Sequence, residues 1–373
     1  MSTARYIVQT APQTYEIREC DVPAPGPYDA YARIDACAVC GTDVSVYKGT
    51  EMQAKYPLVP GHEPVGVIES IGSEASARWG VVEGDRVLIG SSLACGRCVL
   101  CRDGRGCVLA GDRLPNLGYR SPMEAPTLLG GFATHLYLAP QMLVLPAPPG
   151  VPVSTLSLFN SVGNAWHWIV EIGRLAPGDL VLILGPGPRG LAATAIAAQI
   201  GASEIVVAGL ANDSYRLEVA TKLGATATIA QDPEHLAAAI METFAGRQVD
   251  LVLDATSGGA DIESLLPLMK VGGRIVLGGL RNGKDSGVSS NALDRIVLRE
   301  IQLLGARSTP PSSVKAASRL LARQDLPWNE IATDAIGLDE VAKTMASLSE
   351  SKLSPRQVHV RVEPNKQIKE MKI

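Results

Sequence analysis

The run DLVLILGPGPRGLAATAIAAQIGA, residues 179–202, constrains the fold more than any other stretch of this chain. Five consecutive apolar residues read as a strand buried on both faces, and the alanine-rich segment after them reads as a helix. Between the two lies G-x-G-x-x-G, formed by Gly185, Gly187 and Gly190 with Pro188 and Arg189 in the variable positions. The first glycine permits a tight turn, the second lets the backbone approach a pyrophosphate, and the third lets helix and strand pack closely. The helix start then offers positive potential to the phosphates. An ordinary glycine-rich turn has the same spacing, but here a second strand, EIVVAG, follows about twenty residues later, as dinucleotide binding requires. That strand ends in Ala208 and Gly209, where an acid for the adenosine ribose usually stands. Asp213 and Arg216 come next; the first suits a ribose hydroxyl and the second a 2′-phosphate, and both also read as a solvated helix start. The cofactor is NAD or NADP, with the balance toward NAD.

Around this loop the strands LVLIL, EIVVAG, DLVLDAT and GRIVLGG alternate with the helical stretches GLAATAIAAQIG and SYRLEVATKLG. Such alternation predicts a parallel, doubly wound sheet. Before it, from Tyr6 to about Leu145, short β-rich runs separated by Pro and Gly clusters form an all-β pattern. The Pro/Gly-rich LPAPPGVPV marks the boundary. We expect a catalytic domain from residues 1–155 and 306–373, with a dinucleotide-binding domain of residues 156–305 inserted in it.

The chain has 373 residues, enough for two domains, and 46% are hydrophobic against 19% charged, which excludes a disordered or fibrous class. A net charge of −4 without basic clusters argues against nucleic acid, and no apolar run approaches the roughly 18 residues of a membrane span. The N-terminus lacks an apolar signal core. Seven cysteines, an odd number, fit a reducing compartment, and we expect a cytoplasmic protein.

Four of those cysteines, Cys95, Cys98, Cys101 and Cys107, crowd into CGRCVLCRDGRGC. Four thiolates complete the tetrahedral shell of zinc and leave no open position, so this lobe predicts a structural rather than a catalytic metal. A nucleic-acid-binding zinc ribbon has similar spacing but would carry a basic surplus.

Two further segments, CGTDVSVYKG from Cys40 and PGHEPVGVIESIG around His62 and Glu63, join the cysteine lobe, EGDRV, GGFATH and the glycine loop in a fixed order. Together they resemble the zinc-containing medium-chain dehydrogenase/reductase superfamily over nearly the whole chain. The resemblance implies a GroES-like, mostly-β catalytic domain with an inserted Rossmann domain. It implies Cys40 and His62 as catalytic zinc ligands, Glu63 as a neighbour that adjusts or joins the coordination, and Asp43 as the acid that orients the histidine. Thr42 matches the hydroxyl that accepts the proton of the alcohol, whose hydride passes to the nicotinamide. Substrates of this class are secondary alcohols, polyols and sugar alcohols, bound between the domains, with Phe159 and Trp166 as possible lining or simply core. Relatives are homodimers or homotetramers, and GRIVLGGL is a candidate edge strand or an interior one.

Two positions depart from the pattern. Asn160 stands where relatives place an anionic third ligand, and an amide binds zinc weakly unless Glu63 coordinates instead. Ser45 stands where many relatives place a proton-relaying histidine. Two alternatives therefore stay open: a zinc-independent carbonyl or enone reductase of the same fold, and a nicotinamide-binding structural or redox-sensing protein with little turnover.

Overall fold

The computed structural model describes residues 2–51, 54–95, 97–102, 116–123, 125, 127–256, 258–279, 288–350, 354 and 356–366. Two compact units divide the chain: Met1–Asn160 with Pro310–Ala322 and Ala332–Ile373, and Ser161–Thr309 with Arg323–Ile331. The first two crossings fall a few residues beyond the junctions read from composition, the first inside helix Phe159–Trp166, and Arg323–Ile331, expected in the catalytic domain, belongs instead to the second unit.

The first unit opens with an antiparallel pair, β1 (Thr3–Ala11) and β2 (Thr14–Asp21). Next come β3 (Ala30–Val39), β4 (Pro64–Ile71), β5 (Arg86–Ile89), β6 (His135–Leu138) and β7 (Val144–Pro146). Beneath them Ile34, Ile68, Val87, Leu117, Leu136 and Val144 form a buried cluster.

In the second unit the strands are β8 (Leu180–Leu184), β9 (Glu204–Gly209), β10 (Ala227–Ala230), β11 (Val249–Asp254), β12 (Met269–Leu277) and β13 (Gln302–Gly305). Their hydrogen-bonded order is β10-β9-β8-β11-β12-β13, and every pairing is parallel. This is the Rossmann order, in which the path reverses between the first strand and the fourth. β8 lies between β9 and β11, and its buried run fits a central parallel strand whose faces are covered by crossover segments such as helix Pro188–Ile200. GRIVLGGL is not an edge strand. Its residues 273–277 belong to β12, and the short QLLG strand β13, too brief to show periodicity, pairs along its outer side.

The chain returns to the first unit with β14 (Asp334–Ile336) and β15 (Val360–Val362), giving the order β14-β15-β3-β4-β5-β7, with β6 also on β3. The register of β3 against β4 pairs Cys37 with Pro64, and the Ala38 N–H donates to the Glu63 carbonyl at 3.2 Å. That register brings the end of one strand beside the start of the next, and so sets Cys40 next to His62 and Glu63. Among the described residues no helix is long and apolar enough to cross a membrane.

Candidate active site and cofactor loop

Cys40 leaves β3 and caps helix Gly41–Lys48, with its Sγ accepting the Thr42 N–H at 3.2 Å. Asp43 closes the cap from inside, accepting the Cys40 N–H through Oδ2 at 2.9 Å. His62 Nε2 lies 3.1 Å from Cys40 Sγ and 3.9 Å from Glu63 Oε1, and His62 Nδ1 faces Asp43 Oδ1 at 3.2 Å. Burial works against a charged His62 ring, but the negative Cys40 sulfur and Asp43 carboxylate outweigh it, so its pKa stands well above the ordinary histidine value.

Asn160, the second residue of helix Phe159–Trp166, donates its amide Nδ2 to Glu63 Oε1. Glu63 is only 1% exposed and Asn160 8%, so this bond joins two side chains withdrawn from water. Cys40, His62, Glu63 and Asn160 thus come together, all within the first unit. Thr42 and Ser45 lie on the Cys40-capped helix three residues apart, hence on one face, both half-buried. Phe159 is fully buried core, whereas Trp166 is half-buried.

The donor set fits zinc. One sulfur, one imidazole nitrogen and one carboxylate oxygen lie within 4.8 Å of one another. A zinc tetrahedron with metal–ligand bonds of about 2.0–2.3 Å has edges of roughly 3.3–3.8 Å, and the separations from His62 Nε2, 3.1 and 3.9 Å, bracket that range. Asp43 on the far ring nitrogen fixes which nitrogen faces the cluster, as an outer carboxylate does for a metal-bound histidine. Cys95, Cys98 and Cys101 form a second group; Cys95 and Cys101 Sγ are 3.9 Å apart, and the Cys98 and Cys101 N–H groups each donate to the preceding cysteine's sulfur at 3.4 Å. Cys107 lies outside the described residues.

In the second unit the glycine loop adopts the conformation its spacing requires. Gly185 has φ +93°, and a Cβ on Gly190 would meet the Gly185 carbonyl oxygen at 2.0 Å. A Cβ on Gly187 would have nothing within 4 Å, leaving the turn open above it. Pro188 opens helix Pro188–Ile200 and Arg189 follows it. Asp213 packs beside Gly209 at the end of β9, where a glycine Cβ would lie 3.2 Å from its own. Its carboxylate accepts the Leu210 N–H at 3.0 Å and pairs with Arg216 at 3.3 Å. From the other half of the sheet, Asp254 is fully buried and accepts the Thr256 N–H and hydroxyl and the Ala260 N–H, shaping the turn whose Thr256 faces Gly185. Sequence reasoning missed Asp254 and Thr256, although an acid closing an apolar strand was visible in DLVLDAT.

Two family models match this chain: the alcohol dehydrogenase GroES-like domain over residues 26–149 and the zinc-binding dehydrogenase over residues 188–323. A protein described as a probable alcohol dehydrogenase of Mycobacterium tuberculosis is 35% identical over 93% of this chain and 95% of its own length. An L-threonine 3-dehydrogenase of Deinococcus deserti is 31% identical over 86% of this chain and 89% of its own. Among solved structures, an alcohol dehydrogenase of Thermotoga maritima superposes with a TM-score of 0.84 at 23% identity, covering 98% of this chain and all of that one.

Proposed function

The chain belongs to the zinc-containing medium-chain dehydrogenase/reductase superfamily, and from that premise we propose that it is a zinc-dependent, NAD(P)-linked alcohol dehydrogenase with Cys40, His62 and Glu63 as its catalytic metal ligands. The observation that carries this reading is the convergence of those three donors, with Asp43 orienting the histidine and Asn160 holding the carboxylate. Bound zinc would polarise the alcohol oxygen and lower its pKa, while the nicotinamide ring would take up the hydride. The protein's own groups do the rest. Asp43 holds His62 with Nε2 toward the cluster, and Asn160 fixes Glu63 Oε1 beside it. Glu63 supplies the negative charge that an amide at position 160 does not. Thr42 takes the substrate proton, and Ser45 on the same helix face passes it on through water.

The end of β9 supports NAD over NADP. The Asp213 carboxylate stands there and pairs with Arg216, so a 2′-phosphate would meet an anion and a cation already engaged. We assign NAD, and Asp213→Ala is expected to shift the kcat/KM ratio toward NADP; an unchanged ratio would remove Asp213 from the assignment. The substrate class is a secondary alcohol or polyol, and the working form is a homodimer or homotetramer.

Zinc per chain, measured by elemental analysis on the purified protein and on Cys40→Ser, tests the central claim. Two zincs falling to one in the variant is the expected result. One zinc in both would favour zinc-independent carbonyl or enone reduction, the alternative that Asn160 itself raises.

A further inference from the structure

Arg189 stands in the first turn of helix Pro188–Ile200, where backbone N–H groups already concentrate positive potential. Neither a capping side chain at Gly187 nor an acidic residue in that turn offsets it. A cation in the first turn opposes the helix dipole, and a phosphate bound at the helix start suits both. The guanidinium carbon lies 5.7 Å from the centroid of the Trp168 ring, within cation–π range.

Trp168 is fixed on its other side. It is 4% exposed and lies in the π-helical turn His167–Ile172, a kind of turn that recurs at functional sites. The benzo edge of its indole presses on Gly278, where a Cβ would come within 2.6 Å of Cε3 and Cζ3. The opposite edge carries Nε1, which is buried with no hydrogen-bond partner among the described residues. Gly278 directly follows β12, in the β11-β12-β13 half of the sheet, whereas Asp213 and Arg216 follow β9 in the other half. Trp168 therefore draws the Arg189 guanidinium toward the half opposite the adenosine side. In a Rossmann sheet each half receives one mononucleotide, and the pyrophosphate lies between them at the helix start.

We propose that Arg189 grips the phosphate on the nicotinamide side of the dinucleotide, with Trp168 positioning its guanidinium. This rests on the dinucleotide reading above and extends it to a residue that the glycine pattern leaves unspecified. A planar guanidinium held against an aromatic face keeps its N–H fork pre-organised for phosphate oxygens, so less freedom is lost on binding.

Isothermal titration calorimetry with AMP, ADP-ribose and NADH on wild type, Arg189→Leu and Trp168→Phe separates the phosphates, with AMP read by displacement of ADP-ribose. AMP lacks the second phosphate, and ADP-ribose has it without the nicotinamide. Arg189→Leu should weaken ADP-ribose and NADH about tenfold or more, as loss of a charge-assisted contact implies, and leave AMP within about twofold. Trp168→Phe should show the same selectivity at smaller size. Retained AMP affinity also reports that the variants fold. Equal loss for all three ligands, loss confined to NADH, or no loss would overturn the assignment of the phosphate. Failure of the wild type to bind any of the three would instead defeat the dinucleotide reading and the inference with it.

Discussion

At the scale of single residues the chemistry turns on Glu63 and Asn160. An amide cannot supply the charge of a third anionic ligand, yet it can donate a hydrogen bond, and it donates one to the buried Glu63 carboxylate. In the proposed site the two positions therefore differ in kind, one the expected ligand and the other its support. Glu63→Gln removes the charge and is expected to empty the catalytic position while leaving one zinc per chain. Asn160→Ala removes only the support, and loss of such an outer partner typically weakens metal binding by about 10- to 100-fold. Chelator competition monitored by zinc content would order the two variants. If Asn160→Ala lost as much zinc as Glu63→Gln, Asn160 would have to be counted as a ligand. Cys40, His62 and Glu63 were legible because each lies in a short motif of fixed spacing. The Asn160–Glu63 bond was not, since nothing in a linear sequence says which way an amide 97 residues away will point.

At the scale of elements, short motifs were read correctly where local geometry alone demands them, and missed where partners decide. The glycine loop is the first case, because a Cβ at position 190 would meet the Gly185 carbonyl oxygen whatever surrounds the loop. Strands β10 and β13 are the second: each has four residues, too few for periodicity, and exists because a neighbouring strand offers hydrogen bonds. The cysteine lobe stands between the two. Its spacing predicts a zinc site, and the structure brings Cys95, Cys98 and Cys101 within zinc-binding distance of one another. A loop held by a closed zinc site has little core of its own, so metal binding supplies its folding free energy. Cys98→Ser is expected to remove one zinc per chain and to leave the Cys40 site loaded. The lobe should then become sensitive to limited proteolysis while the rest of the first unit stays resistant. Unchanged zinc content in Cys98→Ser would show that this group does not hold a metal.

Across the whole molecule, acid stability depends on a residue far from the motifs in sequence. His359 is 3% exposed, neither ring nitrogen has a partner among the described residues, and burial together with the positive Arg361 lowers its pKa from 6.5 to about 3. It immediately precedes β15, which pairs with β3, the strand that ends at the Cys40 cap. Its backbone is pinned as well, since the N–H groups of Val358 and His359 both donate to the Thr333 hydroxyl. The native state therefore keeps this ring neutral, while the unfolded chain protonates it near the ordinary histidine value. The folded pKa lies below the unfolded one, so the stability is complete above about pH 6.5 and is lost as pH falls toward about 3. Between those limits the loss is on the order of 1 kcal/mol per pH unit from this group. His359→Leu keeps the site filled, removes the titration and leaves no buried nitrogen without a partner, so it should match or exceed the wild type at pH 7. Urea unfolding at pH 7, 6 and 5 would show a shallower decline for the variant, the two curves separating only below about pH 6.5. Parallel curves would mean that His359 finds a partner for its proton in the folded protein, and the acid sensitivity would then belong to other groups.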